Sequence, residues 1–228
     1  MKKITTLLLL ICNISIVYCQ TECPSTMTDV DGNAYRTVLI GKQCWMAENM
    51  RSTQDAKGNE IMLGSAKHAN TPFRYEPNGK SKNVVMYGYL YNWEAAKIVC
   101  PNGWHLPSDA EWTQLTDFVS SQAQYCCGGD VANNAKALSA TTTWKKCSKE
   151  CTVGNNLAEN NATGFSALPA GGFYNDSYGY FGKGTFFWSS TEMDAEKAYK
   201  RYIDYDVVSM TRYNYYKFGA GAVRCVKN

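Results

Sequence analysis

The run from Cys100 to Leu115 constrains this chain most, because sixteen residues hold turn residues, a proline stop and a complete helix start. Ser108 followed by Glu111 is a capping box. The hydroxyl satisfies an orphan amide of the first turn, and the glutamate reaches back to the cap. The spacing therefore predicts a helix from Asp109. Trp112, Leu115, Phe118 and Val119 recur at three- and four-residue steps, which gives that helix one apolar stripe to set against a core.

The ends set the compartment and the size. Met1-Lys2-Lys3, apolar Leu7 to Ile11, then Val17-Tyr18-Cys19-Gln20 read as a secretory signal too short to span a bilayer. Val17 and Cys19 suit an ordinary signal peptidase cutting before Gln20, so residues 1–19 are expected to be removed. Lipoprotein anchoring at Cys19 is the alternative, disfavoured by the bulky Tyr18. Residues 20–228 then form one domain, with 21 basic against 20 acidic residues once Lys2 and Lys3 are gone. A net charge of +1 gives no electrostatic case for nucleic acid or an anionic membrane. No second apolar run is long enough for a membrane helix.

Eight cysteines remain: Cys23, Cys44, Cys100, Cys126, Cys127, Cys147, Cys151 and Cys225. An even number behind a signal peptide reads as a disulfide framework in an oxidising compartment. Cys126, Cys127, Cys147 and Cys151 crowd a cysteine-rich insertion at about 122–160 and are expected to pair among themselves. The spacing Cys147-x-x-x-Cys151 also suits a metal. A secreted chain with two histidines favours the disulfide reading, so no metal and no cofactor is expected.

Tyr35, Thr37 and Leu39 alternate as one face of a strand after an Asp31-Gly32-Asn33 turn, the start of a hairpin feeding Gln43 to Met50. Arg51 to Lys82 is polar and broken by glycine and proline, which reads as a long surface loop. Asn92 to Val99 reads as a short helix ended by Pro101 and Gly103, and Asn133 to Ser139 as another, with Trp144 anchoring its exit. His105 lacks a nucleophile or acid at catalytic spacing and reads as a hydrogen-bonded structural histidine. From Gly164 onward, glycines and aromatics alternate as in packed antiparallel strands. Tyr199 to Val207 reads as another strand and Ala222 to Val226 as the closing one.

The segment Tyr199 to Lys217 is the one that folding explains least. Tyrosine offers a large, rigid contact area with a polar tip, and its ring stacks on sugars. Tyr202, Tyr205, Arg212, Tyr213, Asn214, Tyr215 and Tyr216, close to Trp188, are therefore expected to form a ligand-binding surface. The competing reading packs half of these rings within the sheet.

Several blocks carry a family resemblance: Asp29-Val30-Asp31-Gly32-Asn33-Ala34-Tyr35, Trp45-Met46-Ala47-Glu48-Asn49-Met50 and Tyr87-Gly88-Tyr89-Leu90-Tyr91-Asn92-Trp93. The Cys100 to Trp112 run, Gly164-Phe165-Ser166-Ala167-Leu168-Pro169-Ala170-Gly171-Gly172, Trp188-Ser189-Ser190-Thr191 and Val223-Arg224-Cys225-Val226-Lys227 follow in order. This pattern resembles the Fibrobacter succinogenes major paralogous domain, itself similar to the C-type-lectin-like fold of formylglycine-generating enzymes and retroelement-diversified proteins. The resemblance implies an α+β domain with two helices, a small twisted antiparallel sheet and long disulfide-stapled loops. It also implies a Cys100–Cys225 bond, which leaves Cys23 and Cys44 for each other.

Glu76-Pro77-Asn78 matches the tripeptide with which mannose-type lectins hold calcium and sugar, but it precedes the helices instead of following them. A Pro-Asn-Gly turn explains it. Formylglycine-generating enzymes use two cysteines near the C-terminus, and here only Cys225 lies there, so no catalysis is expected. The expectation is a secreted, periplasmic or outer-envelope bacterial binding and adhesion module. It would take a glycan or surface protein without calcium. A structural envelope component is the main alternative, and a formylglycine-generating-enzyme-like oxidase the lesser one.

Overall fold

A computed structural model describes residues 22–67 and 70–228. The signal segment and Cys19 lie outside the described residues. The strands are β1 Thr26–Thr28, β2 Ala34–Ile40, β3 Gln43–Met46, β4 Met62–Leu63, β5 Phe73–Tyr75, β6 Leu90–Tyr91, β7 Trp104–His105, β8 Gly172–Tyr174, β9 Ser177–Gly179, β10 Gly184–Glu192, β11 Lys197–Asp204, β12 Thr211–Tyr216 and β13 Val226–Lys227. The α-helices are α1 Val84–Tyr87, α2 Trp93–Ala96, α3 Asp109–Ser120 and α4 Ala135–Leu138. This is a mixed α/β domain with little helix and mainly antiparallel sheets. Among the described residues only α3 is longer than four residues, and the sequence pattern does not signal α1.

One antiparallel sheet runs β1-β2-β3-β13-β7, so the last strand closes between the opening hairpin and the turn before α3. A second antiparallel sheet is β10-β11-β12. Helix α3 packs across both. It begins where the capping box places it: Ser108 Oγ accepts from the Glu111 amide at 3.2 Å, and the Ser108 amide donates to Glu111 Oε2 at 2.7 Å. Its stripe buries Trp112, Leu115 and Val119 completely. Trp112 meets Trp45 at 4.6 Å and Phe187 at 5.5 Å between ring centres, while Phe165 closes the cluster edge-on. Burying an aromatic side chain of this size contributes roughly 2 to 3 kcal/mol each, so this cluster is the principal core. Gly41, at φ +62°, turns β2 into β3 against Phe118, where a Cβ would come within 2.9 Å of the ring.

The blocks of the family pattern meet at Arg224. Its guanidinium is fully buried without a carboxylate. It donates to Asn49 Oδ1 at 2.6 Å, to the Met46 and Phe165 carbonyls at 2.9 and 2.6 Å, and to the Ser166 carbonyl at 2.9 Å. Burial lowers its pKa to about 9.

Two turns share one construction. In Asp29-Val30-Asp31-Gly32-Asn33 and Asp55-Ala56-Lys57-Gly58-Asn59, the aspartate Oδ1 accepts the asparagine amide at 2.9 Å, and Oδ2 accepts the asparagine side chain at 2.9 Å. The second turn lies inside the stretch expected to be a surface loop. That stretch is better anchored than a loop: Ile61 and Tyr75 are buried, and β4 and β5 pair within it. Its polar composition was misleading because side-chain turns satisfy the backbone there. Strand β2 also departs from simple alternation. Tyr35 is buried but Leu39 is 55% exposed, because the strand gives Tyr35 to one core cluster and Ile40 to the other.

The disulfides are Cys23–Cys44, Cys100–Cys225 and Cys127–Cys151. The four clustered cysteines do not all pair: Cys126 and Cys147 are free thiols. Cys126 is buried beneath the end of α3, its Sγ directed at the Val119 and Ser120 carbonyls at 3.7 and 3.5 Å. Cys147 is half-buried in the turn that carries Cys151. Trp144 anchors this segment, donating from Nε1 to the Ala167 carbonyl at 3.2 Å.

Candidate functional site

The register of β10-β11-β12 sorts the tyrosine-rich segment onto two faces. Phe186 pairs with Tyr202 and Trp188 with Lys200, while across β11 Lys200 pairs with Tyr213 and Ala198 with Tyr215. Directly opposed residues share a face, and neighbours along a strand take opposite faces. Phe186, Tyr202, Tyr213 and Tyr215 therefore lie together, with Trp188 and Lys200. Tyr199, Arg201, Arg212, Asn214 and Tyr216 lie on the reverse.

The expected seven-residue surface is thus divided. Tyr202, Tyr213 and Tyr215 share the first face, and Arg212, Asn214 and Tyr216 belong to the second. Tyr205 follows the end of β11, where its hydroxyl accepts from Lys145 Nζ at 3.1 Å. Trp188 is fully buried and cannot contact a ligand. Its indole donates to the Tyr91 carbonyl at 2.8 Å, so this ring belongs to the core.

The first face is an aromatic platform, completed by two residues from the β8-β9 hairpin and the turn after it that sequence reasoning left out. Tyr174 and Tyr180 meet Phe186 edge-on at 5.3 and 5.4 Å, and Tyr174 meets Tyr215 at 5.1 Å. Phe186 stacks on Tyr202 at 4.4 Å, and Tyr213 lies parallel to Tyr215 at 6.4 Å. Phe186 is the buried floor, Tyr180 and Tyr213 are 49% and 43% exposed, and Tyr202 and Tyr215 are half-buried. Each ring is held by at least one neighbour, which limits the ordering cost of binding. The glycine-aromatic rhythm from Gly171 to Gly182 signals a tight hairpin. Only its pairing shows which tyrosines reach this face.

Beneath the platform lies Lys200, fully buried, with no hydrogen-bond partner for Nζ. The amine sits 3.6 Å from the Trp188 ring centre, and 5.4 and 5.7 Å from those of Tyr215 and Tyr174. Burial pushes its pKa well below the ordinary lysine value. The aromatic faces offset part of that cost for the protonated form. The Tyr202 hydroxyl donates to Asp204, and burial raises the pKa values of both groups. Burial likewise raises those of Tyr174 and Tyr215. The phenols of Tyr174, Tyr202 and Tyr215 therefore stay protonated at neutral pH, as donors and acceptors beside their apolar rings.

On the reverse face Asp109, the first residue of α3, holds two arginines. Its Oδ1 lies 2.8 Å from Arg201 Nη2, and its Oδ2 lies 2.8 Å from Arg212 Nε. Arg201 also reaches Thr113 Oγ1 at 2.8 Å, and Arg212 stacks over Tyr199 at 3.7 Å. These contacts fasten the sheet to the helix, which gives a structural role to Arg212, a residue that a sequence reading assigns to ligand.

Other features are structural. His105 Nε2 lies 2.8 Å from Glu111 Oε1, and its Nδ1 lies 2.6 Å from Asn228 Oδ1. The Glu76-Pro77-Asn78 segment is a turn with Asn78 at φ +55°. Among the described residues no three His, Cys, Asp or Glu side chains come together as a metal group. Among the described residues, no helix is long and apolar enough to cross a membrane. A hollow of about 880 Å³ lies between the β2-β3 turn and α3, with Lys42 and Asp117 as its titratable lining residues. A cleft of about 310 Å³ beside Tyr216 and Phe218 lies nearer the tyrosines.

The family model described as the Fibrobacter succinogenes major domain matches residues 38–227, more than four-fifths of the 228 residues. No curated protein and no solved structure matches the chain. The match runs from within β2 through β3, α3, the aromatic sheet and the closing strand with Arg224, so the chain belongs to the Fibrobacter succinogenes major domain family.

Proposed function

We propose that this chain is a binding and adhesion module of the bacterial exterior or envelope, built on a C-type-lectin-like plan, and that its ligand is a glycan held without calcium by Tyr180, Tyr202, Tyr213 and Tyr215. The observation that carries this reading is the platform itself: partly open tyrosine rings fixed by stacking over a buried floor. A sugar ring presents an apolar face edged by hydroxyls. Tyrosine matches both, with ring against face and phenol against hydroxyl. An exposed aromatic cluster otherwise carries a solubility cost.

Secretion rests on the residue pattern of positions 1–19 and on disulfides that suit an oxidising compartment. A protein ligand is the second reading, since such rings also serve as anchors in protein interfaces. An oxidase of the formylglycine-generating type is disfavoured, because Cys225 is tied to Cys100 and no second cysteine lies near it in sequence. A glycan array probed with the wild type and Tyr213→Ala, with and without chelator, tests the proposal. Binding should be lost in the variant and be indifferent to the chelator.

A further inference from the structure

The two outer edges of the β10-β11-β12 sheet are treated differently by the fold. The β10 edge is covered: the Gly171 amide donates to the Gly184 carbonyl, the Ala222 amide to the Phe186 carbonyl, and the Trp188 amide to the Ala222 carbonyl. Strand β12 has β11 on one side and, among the described residues, no strand or bridge on the other.

The direction of its free groups follows from the bonds beyond the strand ends. The Lys217 amide donates to the Glu196 carbonyl at 2.9 Å, toward β11. The Tyr205 amide donates to the Lys183 carbonyl at 2.8 Å, which turns the odd-numbered residues of β11 toward β10 and the even ones toward β12. Alternation then points the amides and carbonyls of Thr211, Tyr213 and Tyr215 inward and those of Arg212, Asn214 and Tyr216 outward. Among the described residues, the Tyr216 carbonyl is the one outward group with an intramolecular partner, the Gly219 amide at 2.9 Å.

We propose that this edge pairs with the β12 edge of a second copy of this chain, antiparallel about a two-fold axis at Asn214, joining the two sheets into one of six strands. The sequence of β12 is complementary to itself in that register. Asn214 faces the partner's Asn214, Tyr213 faces the partner's Tyr215, and Arg212 faces the partner's Tyr216. Rows 212, 214 and 216 are the outward ones, so about four backbone hydrogen bonds across the axis join groups without an intramolecular partner, and two more would share the Tyr216 carbonyl with the Gly219 amide. The facing side chains are stacking and cation–π pairs of the kind that stabilise sheets.

Arg212 is the one charged residue in β12. This register keeps the two copies of it four rows apart, about 13 Å at the ordinary strand rise and beyond the screening length of about 8 Å. A register centred on Arg212 would oppose them directly. Opposed residues share a face, so the tyrosine platforms of both copies would lie on one side of the joined sheet and act as a bivalent surface. The pairing is independent of what that surface binds.

Sedimentation velocity from about 1 to 200 μM tests the dimer. Edge pairing alone buries less than the roughly 800 Å² per partner of a standard interface, so the expected dissociation constant is on the order of 10 μM. Asn214→Pro removes an outward amide that a monomer leaves in solvent, which an edge strand tolerates. It should keep the melting temperature and abolish the dimer. In a Cys147→Ser background, Asn214→Cys should oxidise to a covalent dimer, because the two-fold axis brings that position against itself. This second variant carries the test if the proline variant fails to fold. A wild type monomeric throughout, a dimer indifferent to Asn214→Pro, or an Asn214→Cys chain that does not crosslink would overturn the proposal. The edge would then remain open to another occupant, such as an extended peptide.

Discussion

Arg224 Nε donates to Asn49 Oδ1 at 2.6 Å across 175 residues of chain, and through this contact the opening and closing blocks of the family pattern become one structure. The same guanidinium serves three backbone carbonyls, from Met46, Phe165 and Ser166. It is a hub with no counter-ion, so its worth lies in hydrogen bonds that nothing else can replace.

Replacing Arg224 with Met should therefore be costly although the volume is partly kept. Three carbonyls and one amide oxygen would lose a charged donor in a dry interior, a loss of about 3 to 5 kcal/mol. Urea unfolding should show a lower midpoint with little change in slope. Lysine should restore part of the loss at most, because one ammonium cannot span four acceptors in the guanidinium plane.

Lys200 predicts the opposite sign. Its amine is buried and unpaired, so Lys200→Met should stabilise the chain at pH 7 by roughly 1 to 3 kcal/mol. The folded-state pKa is lowered, so between that value and the unfolded one the unfolded chain binds more protons. Wild-type stability from this group therefore rises with pH across that window. The advantage of the variant should shrink as pH climbs toward 10, measured as a difference so that tyrosine ionisation cancels. A variant less stable at pH 7 would mean that the Trp188 cation–π contact outweighs burial.

The two free thiols should separate in a labelling experiment. Cys147 is half-buried, and the Thr152 hydroxyl, with the Lys149 amide, holds its thiol below the ordinary value. Cys126 is buried. Iodoacetamide at pH 7 should modify Cys147 in the native chain and reach Cys126 only after unfolding. Thr152→Val should slow the Cys147 reaction. Non-reducing peptide maps should recover the Cys23–Cys44, Cys100–Cys225 and Cys127–Cys151 peptides. A Cys126–Cys147 peptide would contradict the structure.

What could be read in advance was local. The capping box at Ser108 and Glu111 and the Trp112, Leu115, Val119 stripe depend on residues within one or two turns, and both stand in the structure. Alternation alone separates Tyr213 and Tyr215 from Arg212, Asn214 and Tyr216, so the tyrosine-rich tail presents two faces where its composition suggests one surface. Placing Tyr202 beside Tyr213 needs the β11-β12 register, and adding Tyr174 and Tyr180 needs the packing of a hairpin more than twenty residues away. A lysine between Tyr199 and Arg201 gave no sign of burial. Its side-chain direction is set by Trp188 on another strand. Composition also misjudged the cysteines, because proximity in sequence does not bring four sulfurs into two bonding pairs.

Whether the tyrosine platform is the ligand-binding face is decided by titrating Tyr213→Ala against the strongest glycan found on an array. Tyr213 is 43% exposed, so its removal should leave the core intact. Tyr215 is a poorer choice because it also covers Lys200. Calorimetry should show a loss of about 1 to 3 kcal/mol, a 5- to 150-fold weakening, with a melting temperature within about 2 °C of wild type. A glycan that binds Tyr213→Ala and Tyr202→Ala as tightly as it binds wild type would place its site away from the platform.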